Sequence, residues 1–271
     1  MNGPRSRSRS LSGTPAPTGL QGVLALPEFR KLWLGQLFSQ LADKFYIVLM
    51  VFLIAQYWVS STPPSTGAIA EAAGAFNFEL ESRAQLITLL ATGIYVANTI
   101  PAMFLGLVAG VWADRWSKRT VMVASNGLRA GLALLIPFCL LDGPQWLGLS
   151  WGYWALLVIT FLESVLTQFF APAEQAAIPM LVPPRQLLAA NSLYQATSMG
   201  ATIVGFALGD PILRLLQHLL TRIGLHDGEF VLLPICYGFA ALSIARIRVG
   251  EPPKDSPGSS IWQEIGEGLQ V

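Results

Sequence analysis

Charge is what this 271-residue chain has least of. Asp, Glu, Lys and Arg together make 12% of it, about half the ~25% usual in a soluble domain. That is too little polar surface for a water-facing globule. Cysteine is scarce as well: Cys139 and Cys236 both sit inside apolar runs. They exclude a disulfide scaffold and read as buried thiols. The two histidines, His218 and His226, stand eight apart with no acidic or Cys partner at ligand spacing, so no metal centre is expected. H-E-x-x-H, G-x-S-x-G and the P-loop are all missing, which points away from an enzyme, and no cofactor is expected. A net charge of +1 excludes a nucleic-acid binder held by bulk electrostatics, and the three arginines of the N-terminal RSRSRS run do not change that.

Apolar residues fill the gap. They make 53% of the chain, with 25 Gly, 18 Pro and 8 Trp, and the mean hydropathy is +0.52. This is the composition of an integral membrane protein, in which Gly and Pro serve packing surfaces and kinks and Trp serves the interfaces. Six apolar stretches near the ~20 residues needed to cross a bilayer fall at about 32–58, 86–112, 120–141, 151–171, 192–213 and 230–249. The first is too long for a signal peptide, and no small-residue cleavage site precedes a soluble domain. The expected organisation is an all-α, six-helix transmembrane bundle over 29–250, preceded by a disordered tail, 1–28. After it, EPPKDSPGSS reads as a linker, and IWQEIGEGLQV begins an amphipathic helix that stops soon after it starts. The chain therefore reads as cut short.

Orientation follows from the basic residues. With the N-terminus inside, twelve Lys or Arg fall on the inner side and only Arg83, Arg214 and Arg222 outside, Lys44 and Arg129 lying within spans. Both termini are expected in the cytoplasm and the protein in the plasma (inner) membrane, with lipid as a partner.

Polar groups inside spans are costly, so their placement is informative. Gln36, Gln40 and Asp43 share a face at i, i+4 and i+7. Asp43 lies roughly 17 Å along the first span, near the bilayer midplane. Lys44 is one residue further round, which leaves two readings: an Asp–Lys pair that fixes helix packing, or a site facing a water-filled cavity. The second span carries Thr88, Thr92, Tyr95 and Thr99 on one stripe with Asn98 beside it. The fourth carries Thr160, Glu163 and Thr167, continuing to Glu174, and the fifth Asn191, Gln195, Ser198 and Thr202. Each stripe alone is ordinary interhelical hydrogen bonding, but four together suggest helices around a hydrated space. Arg129, roughly 15 Å from the cytoplasmic end of the third span, is expected to snorkel toward that end and serve structure. The pairs Gly106/Gly110, Gly127/Gly131 and Gly205/Gly209 are GxxxG motifs, each a weak sign of close helix approach.

The loop between the second and third spans reads GLVAGVWADRWSKRTVMV, over 106–123. Its G-x-x-x-D-R-x-x-K-R string, on Gly110, Asp114, Arg115, Lys118 and Arg119, resembles the signature loop of the major facilitator superfamily. FRKLWLGQLFSQLAD (29–43) is similar to the first helix of the branch with siderophore exporters, macrolide-type drug exporters and lysophospholipid transporters. FFAPAEQAAIPMLVPPRQLLAANSL (169–193) is similar to that branch's helix 4–5 connection, with Glu174 where a basic residue is usual.

The resemblance implies half of a twelve-helix fold, with 251–271 as the start of the central cytoplasmic loop. It implies a transporter that moves a small, amphipathic solute by alternating access, with helices 1, 2, 4 and 5 around the cavity. The missing partner is then a C-terminal half or a second copy; a non-transporting membrane scaffold is the alternative. Asp43 and Glu163 are the protonatable candidates for coupling, with Gln36, Gln40, Lys44, Tyr95, Asn98, Thr167, Gln195 and Ser198 as cavity candidates.

Overall fold

A computed structural model describes residues 19–59, 83–146, 149–222, 224 and 228–248. The side chains of Arg83, Leu107, Val108 and Val111–Arg115 are outside that description, as are residues 1–18, most of the connection 59–85 and the whole of 249–271. Among the described residues, six helices are long and apolar enough to cross a membrane. They are α1 (Pro27–Leu53), α2 (Arg83–Arg115), α3 (Lys118–Leu135), α4 (Trp151–Leu181), α5 (Leu187–Thr221) and α6 (Leu232–Ala245). Short π- or 3₁₀-helical turns extend α1 to Trp58 and α3 to Leu140, and another, Gly228–Val231, leads into α6. A two-residue hairpin, β1 (Gln145–Trp146) against β2 (Leu149–Ser150), caps the α3–α4 turn.

Local chemistry sets the helix ends. Pro27 occupies the first turn of α1, where its missing N–H costs nothing. Ser117 caps α3 by accepting from Thr120 N–H, and Ser150 caps α4 by accepting from Gly152 N–H. Two expectations shift. The α2–α3 connection is only Trp116–Ser117, shorter than the sequence pattern implied. Within the expected tail, Leu20–Leu24 form a helical turn and Val23 is fully buried.

The helices pair as α1 with α5 and α6, α2 with α4, and α3 with α4 and α6. Exchanging α1 with α4, α2 with α5 and α3 with α6 leaves this set of pairs unchanged. The bundle is thus two equivalent three-helix units, α1–α3 and α4–α6, and because helices alternate in direction the second unit is inverted relative to the first.

The small-residue motifs separate into one that packs and two that do not. At Gly205 a Cβ would collide with Lys44 of α1, and at Gly209 it would come within 3.0 Å of Val48. This pair lets α1 and α5 approach closely. Cβ atoms at Gly106, Gly110, Gly127 and Gly131 would meet nothing within 4 Å, so those pairs make no close approach among the described residues.

Two apolar clusters fill the bundle. One, around Phe29, Leu32, Met122, Ala173, Ile178 and Ile247, lies at the end where the described chain begins and finishes. The other, around Leu49, Leu53, Ile136, Leu156, Leu213 and Leu233, lies at the opposite end. Along α1, α3 and α4 a buried polar stretch separates the two: Gln36 and Ser39, then Ser125, Asn126 and Arg129, then Thr160, Glu163 and Ser164. The bundle has a polar waist.

Candidate functional site: a buried ion cluster at the waist

Arg129 is the centre of the waist. Its side chain is completely buried, which corrects the expected snorkelling. The protein replaces the water it gives up. One terminal nitrogen lies 3.4 Å from Asp43 Oδ1 and 3.3 Å from Ser39 Oγ. The guanidinium packs over the rings of Phe170, at 5.2 Å, and Tyr237, at 5.6 Å. Its Nε stands 4.0 Å from Glu163 Oε2. Four helices contribute: Asp43 and Ser39 from α1, Arg129 from α3, Glu163 and Phe170 from α4, and Tyr237 from α6.

Asp43 is the best-satisfied acid of the site. Besides Arg129, the Tyr237 hydroxyl donates to Oδ1 at 2.8 Å, and a quarter of its side chain remains accessible. Its cation is therefore Arg129. Lys44, the alternative partner that the sequence offered, packs its stem against Gly205 and makes no ion pair among the described residues. Glu163 is almost entirely buried, and neither of its oxygens accepts a hydrogen bond. Nor do Arg129 Nε and Nη2, or the Asn126 side-chain amide, find a hydrogen-bond partner, although Asn126 Oδ1 accepts from Ser39 at 3.0 Å. Such buried groups cost free energy when left unmatched. Beside them, Tyr46 and Thr160 share a 2.9 Å hydrogen bond.

The other candidates divide between interior and surface. Gln36 is buried and donates to the Tyr194 carbonyl at 3.2 Å, tying α1 to α5; Gln40 is half-buried. Thr167 donates to the backbone carbonyl of Glu163, and the carbonyl of Asn98 accepts from Ser164. Tyr95 and Gln195 are exposed and Ser198 is half-buried. Thr88, Thr92, Thr99 and Thr202 each donate to a carbonyl four residues back, so they satisfy their own helices. The polar faces of α1 and α4 turn partly inward to the waist, and those of α2 and α5 are largely exposed among the described residues. At the signature loop, Arg119 caps α6 through the Ala245 carbonyl and Lys118 reaches the Trp116 carbonyl at 3.4 Å. Gly110 lies near the end of α2, and the Asp114 and Arg115 side chains are outside the described residues.

Sequence reading missed the part played by Arg129, Tyr237 and Phe170. For Arg129 a signal existed, a cation in mid-span with no acid on its own helix. Tyr237 and Phe170 look like any aromatic in an apolar run.

Fold and waist define a multi-pass helical membrane protein with an internal ion cluster. The model of the Major Facilitator Superfamily matches residues 32–268, and the chain belongs to that family. Among curated proteins it is similar to the uncharacterized MFS-type transporter YkuC of Bacillus subtilis, 25% identical over 61% of this chain and 35% of that protein. It is also similar to the uncharacterized MFS-type transporter Rv0037c of Mycobacterium tuberculosis, 29% identical over 49% of this chain and 28% of that protein. Macrolide efflux protein A of Streptococcus pyogenes is 26% identical over 45% of this chain and 28% of that protein. The chain spans about a third of the length of the curated relatives it matches. No solved structure gives a significant match.

Proposed function

We propose that this bundle forms one half of a secondary transporter, moving a small amphipathic solute by alternating access across the plasma membrane, with both chain ends in the cytoplasm. The efflux protein among its relatives supports outward movement of such a solute. A cavity with one wall cannot close on both sides, so flux needs an opposing six-helix wall, either a C-terminal half or a second copy. The exposed apolar residues of α2 and α5, such as Met103, Phe104, Met199 and Ile203, are suited to meet it.

The observation that carries the coupling mechanism is the arithmetic of the waist: two carboxylates, Asp43 and Glu163, face one guanidinium, Arg129. With both acids ionised these three groups carry one net negative charge, which one bound proton removes; Glu174 of α4, fully buried and without a hydrogen-bond partner, is a further acid beside them. A buried cluster alternating between these two states links proton occupancy to the packing of α1, α3, α4 and α6, the elements whose rearrangement opens and closes a cavity. Asp43, partly accessible, is the acid through which protons enter and leave. Glu163 is the one without hydrogen bonds that needs the proton.

The test is transport by the chain paired with a C-terminal half, in vesicles with and without an imposed pH gradient. Wild type is expected to respond to the gradient, and Glu163→Gln to lose that response while still reaching the membrane. A Glu163→Gln transporter as gradient-dependent as wild type overturns the assignment.

A further inference from the structure

At the end of the bundle that carries most of its Lys and Arg, α1, α3 and α6 enclose a cleft of about 530 Å3. Glu28, Lys31, Arg119, Arg246 and Arg248 line it. They come from three segments far apart in sequence, which converge only in the fold. A general excess of basic residues on one membrane face accounts for their sign, but not for their meeting in one cleft.

Two of the four cations are accounted for by structure. Lys31 Nζ donates to the Arg246 carbonyl at 2.9 Å and Arg119 to the Ala245 carbonyl, so both cap the last turn of α6, where carbonyls lack partners and cations are favoured. Glu28 is also engaged: one oxygen pairs with Lys31 at 2.7 Å, and the other accepts the backbone N–H of Arg248 at 2.7 Å. The guanidinium groups of Arg246 and Arg248 are left. Both residues are exposed, and neither side chain makes a hydrogen bond or ion pair among the described residues. Four cations against one acid leave the cleft strongly positive, with two planar forks free to bind an anion bidentately. Phosphate is the group they match best.

We propose that this cleft binds the phosphate of an anionic membrane lipid. The choice of a lipid over a soluble phosphate rests on what adjoins the cleft. On α6, Ile235, Phe239 and Leu242 are all exposed, and their spacing of i, i+4 and i+7 puts them on one stripe that reaches Arg246 at i+11. Phe239 is held against Phe38 of α1, with ring centroids 4.4 Å apart. An acyl chain laid along this stripe brings its headgroup to Arg246 and Arg248 at the interface, the arrangement expected for basic pockets at helix ends. A free phosphate makes no use of the stripe.

The experiment is native mass spectrometry of the purified chain with phosphatidylglycerol, phosphatidylcholine or inorganic phosphate. Wild type is expected to retain phosphatidylglycerol in preference to phosphatidylcholine. Arg246→Gln with Arg248→Gln should lower that retention about 30-fold, from about a fivefold effect per surface cation. The lysine pair, Arg246→Lys with Arg248→Lys, keeps the charge but loses the two-pronged guanidinium, so it should bind more weakly than wild type and more tightly than the glutamine pair, and Arg214→Gln at the opposite end should change nothing. A glutamine pair that binds phosphatidylglycerol as wild type does overturns the proposal. So does displacement of the lipid from wild type by millimolar inorganic phosphate, which moves the site to a soluble anion. Wild type with a photoactivatable phosphatidylglycerol gives a check free of mutation: adducts should map to the Arg246 end of α6, and adducts confined to other helices refute the site.

Discussion

The two three-helix units share a packing plan and differ in charge. In the first, α1–α3, a mid-helix acid and a mid-helix base meet: Asp43 and Arg129, 3.4 Å apart. In the second, α4–α6, the equivalent helices α4 and α6 bring Glu163 and Tyr237, an acid and a neutral ring. Asp43 and Arg129 cancel each other within the first unit. The second carries an anion with no cation of its own and reaches across the seam to the first unit's Arg129, at the longer distance of 4.0 Å. Equivalent helices thus meet at the waist in both units, and their side chains load it unequally. The unmatched carboxylates, Glu163 and Glu174, both lie on α4, and Glu163 stands at the junction of two units that must move relative to each other if the bundle is to change shape.

The largest expected effect comes from removing the shared cation. Arg129→Gln leaves two carboxylates in the waist with nothing opposite them, and breaking a buried pair from one side typically costs about 3–5 kcal/mol. A marked fall in the thermal unfolding midpoint of the detergent-solubilised chain is the measurement. Unchanged stability would mean that the units do not depend on a common charge.

Next in size is a contrast between the acids. Asp43→Asn weakens charge-assisted bonds from Arg129 and Tyr237, an expected loss of about 1.5–3 kcal/mol. Glu163→Gln gives up no hydrogen bond and removes the surplus charge, so stability should hold or rise. Equal losses at the two positions would erase the asymmetry between the units. The same variants separate stability from coupling, because Glu163→Gln is the one expected to abolish the pH response of flux.

The seam between units gives a smaller contrast. Gly205→Leu drives a side chain into Lys44 where α1 meets α5, and such overpacking typically costs about 1–3 kcal/mol. Gly127→Leu enters open space and should stay within about 0.5 kcal/mol of wild type. Both glycines belong to GxxxG pairs that look alike in sequence, so the outcome reads tertiary placement alone.

That contrast marks the limit of what the sequence discloses. Six spans were legible because a bilayer demands about twenty apolar residues each time, and the run lengths carry that demand directly. Helical periodicity identified Gln36, Gln40 and Asp43 as sharing a face, and Glu163 with Thr160. It says nothing about which helix a face will meet. Lys44 therefore stood as a partner for Asp43 because it is adjacent in the chain, whereas the true partner lies 86 residues away on α3. Arg129 was misread for a related reason: snorkelling is the outcome for an isolated helix, and here Ser39, Asp43, Phe170 and Tyr237 from three other helices make burial tolerable.

The last contrast tests Tyr237, which α6 brings to the waist as α3 brings Arg129. Tyr237 does two things: its hydroxyl donates to Asp43 at 2.8 Å, and its ring faces the Arg129 guanidinium. Tyr237→Phe removes the first and keeps the second, so the expected loss is that of a single charge-assisted hydrogen bond to a partly accessible carboxylate, about 1.5 kcal/mol. A number this small does not by itself identify the bond, since any buried hydroxyl deletion gives something similar. The pairing is isolated by repeating the change in Asp43→Asn. If Tyr237 acts through the carboxylate, its removal should cost distinctly less there than in wild type, and the difference between the two costs measures the coupling. Identical costs in both backgrounds would reduce Tyr237 to a packing ring and leave Arg129 alone in holding Asp43 at the waist.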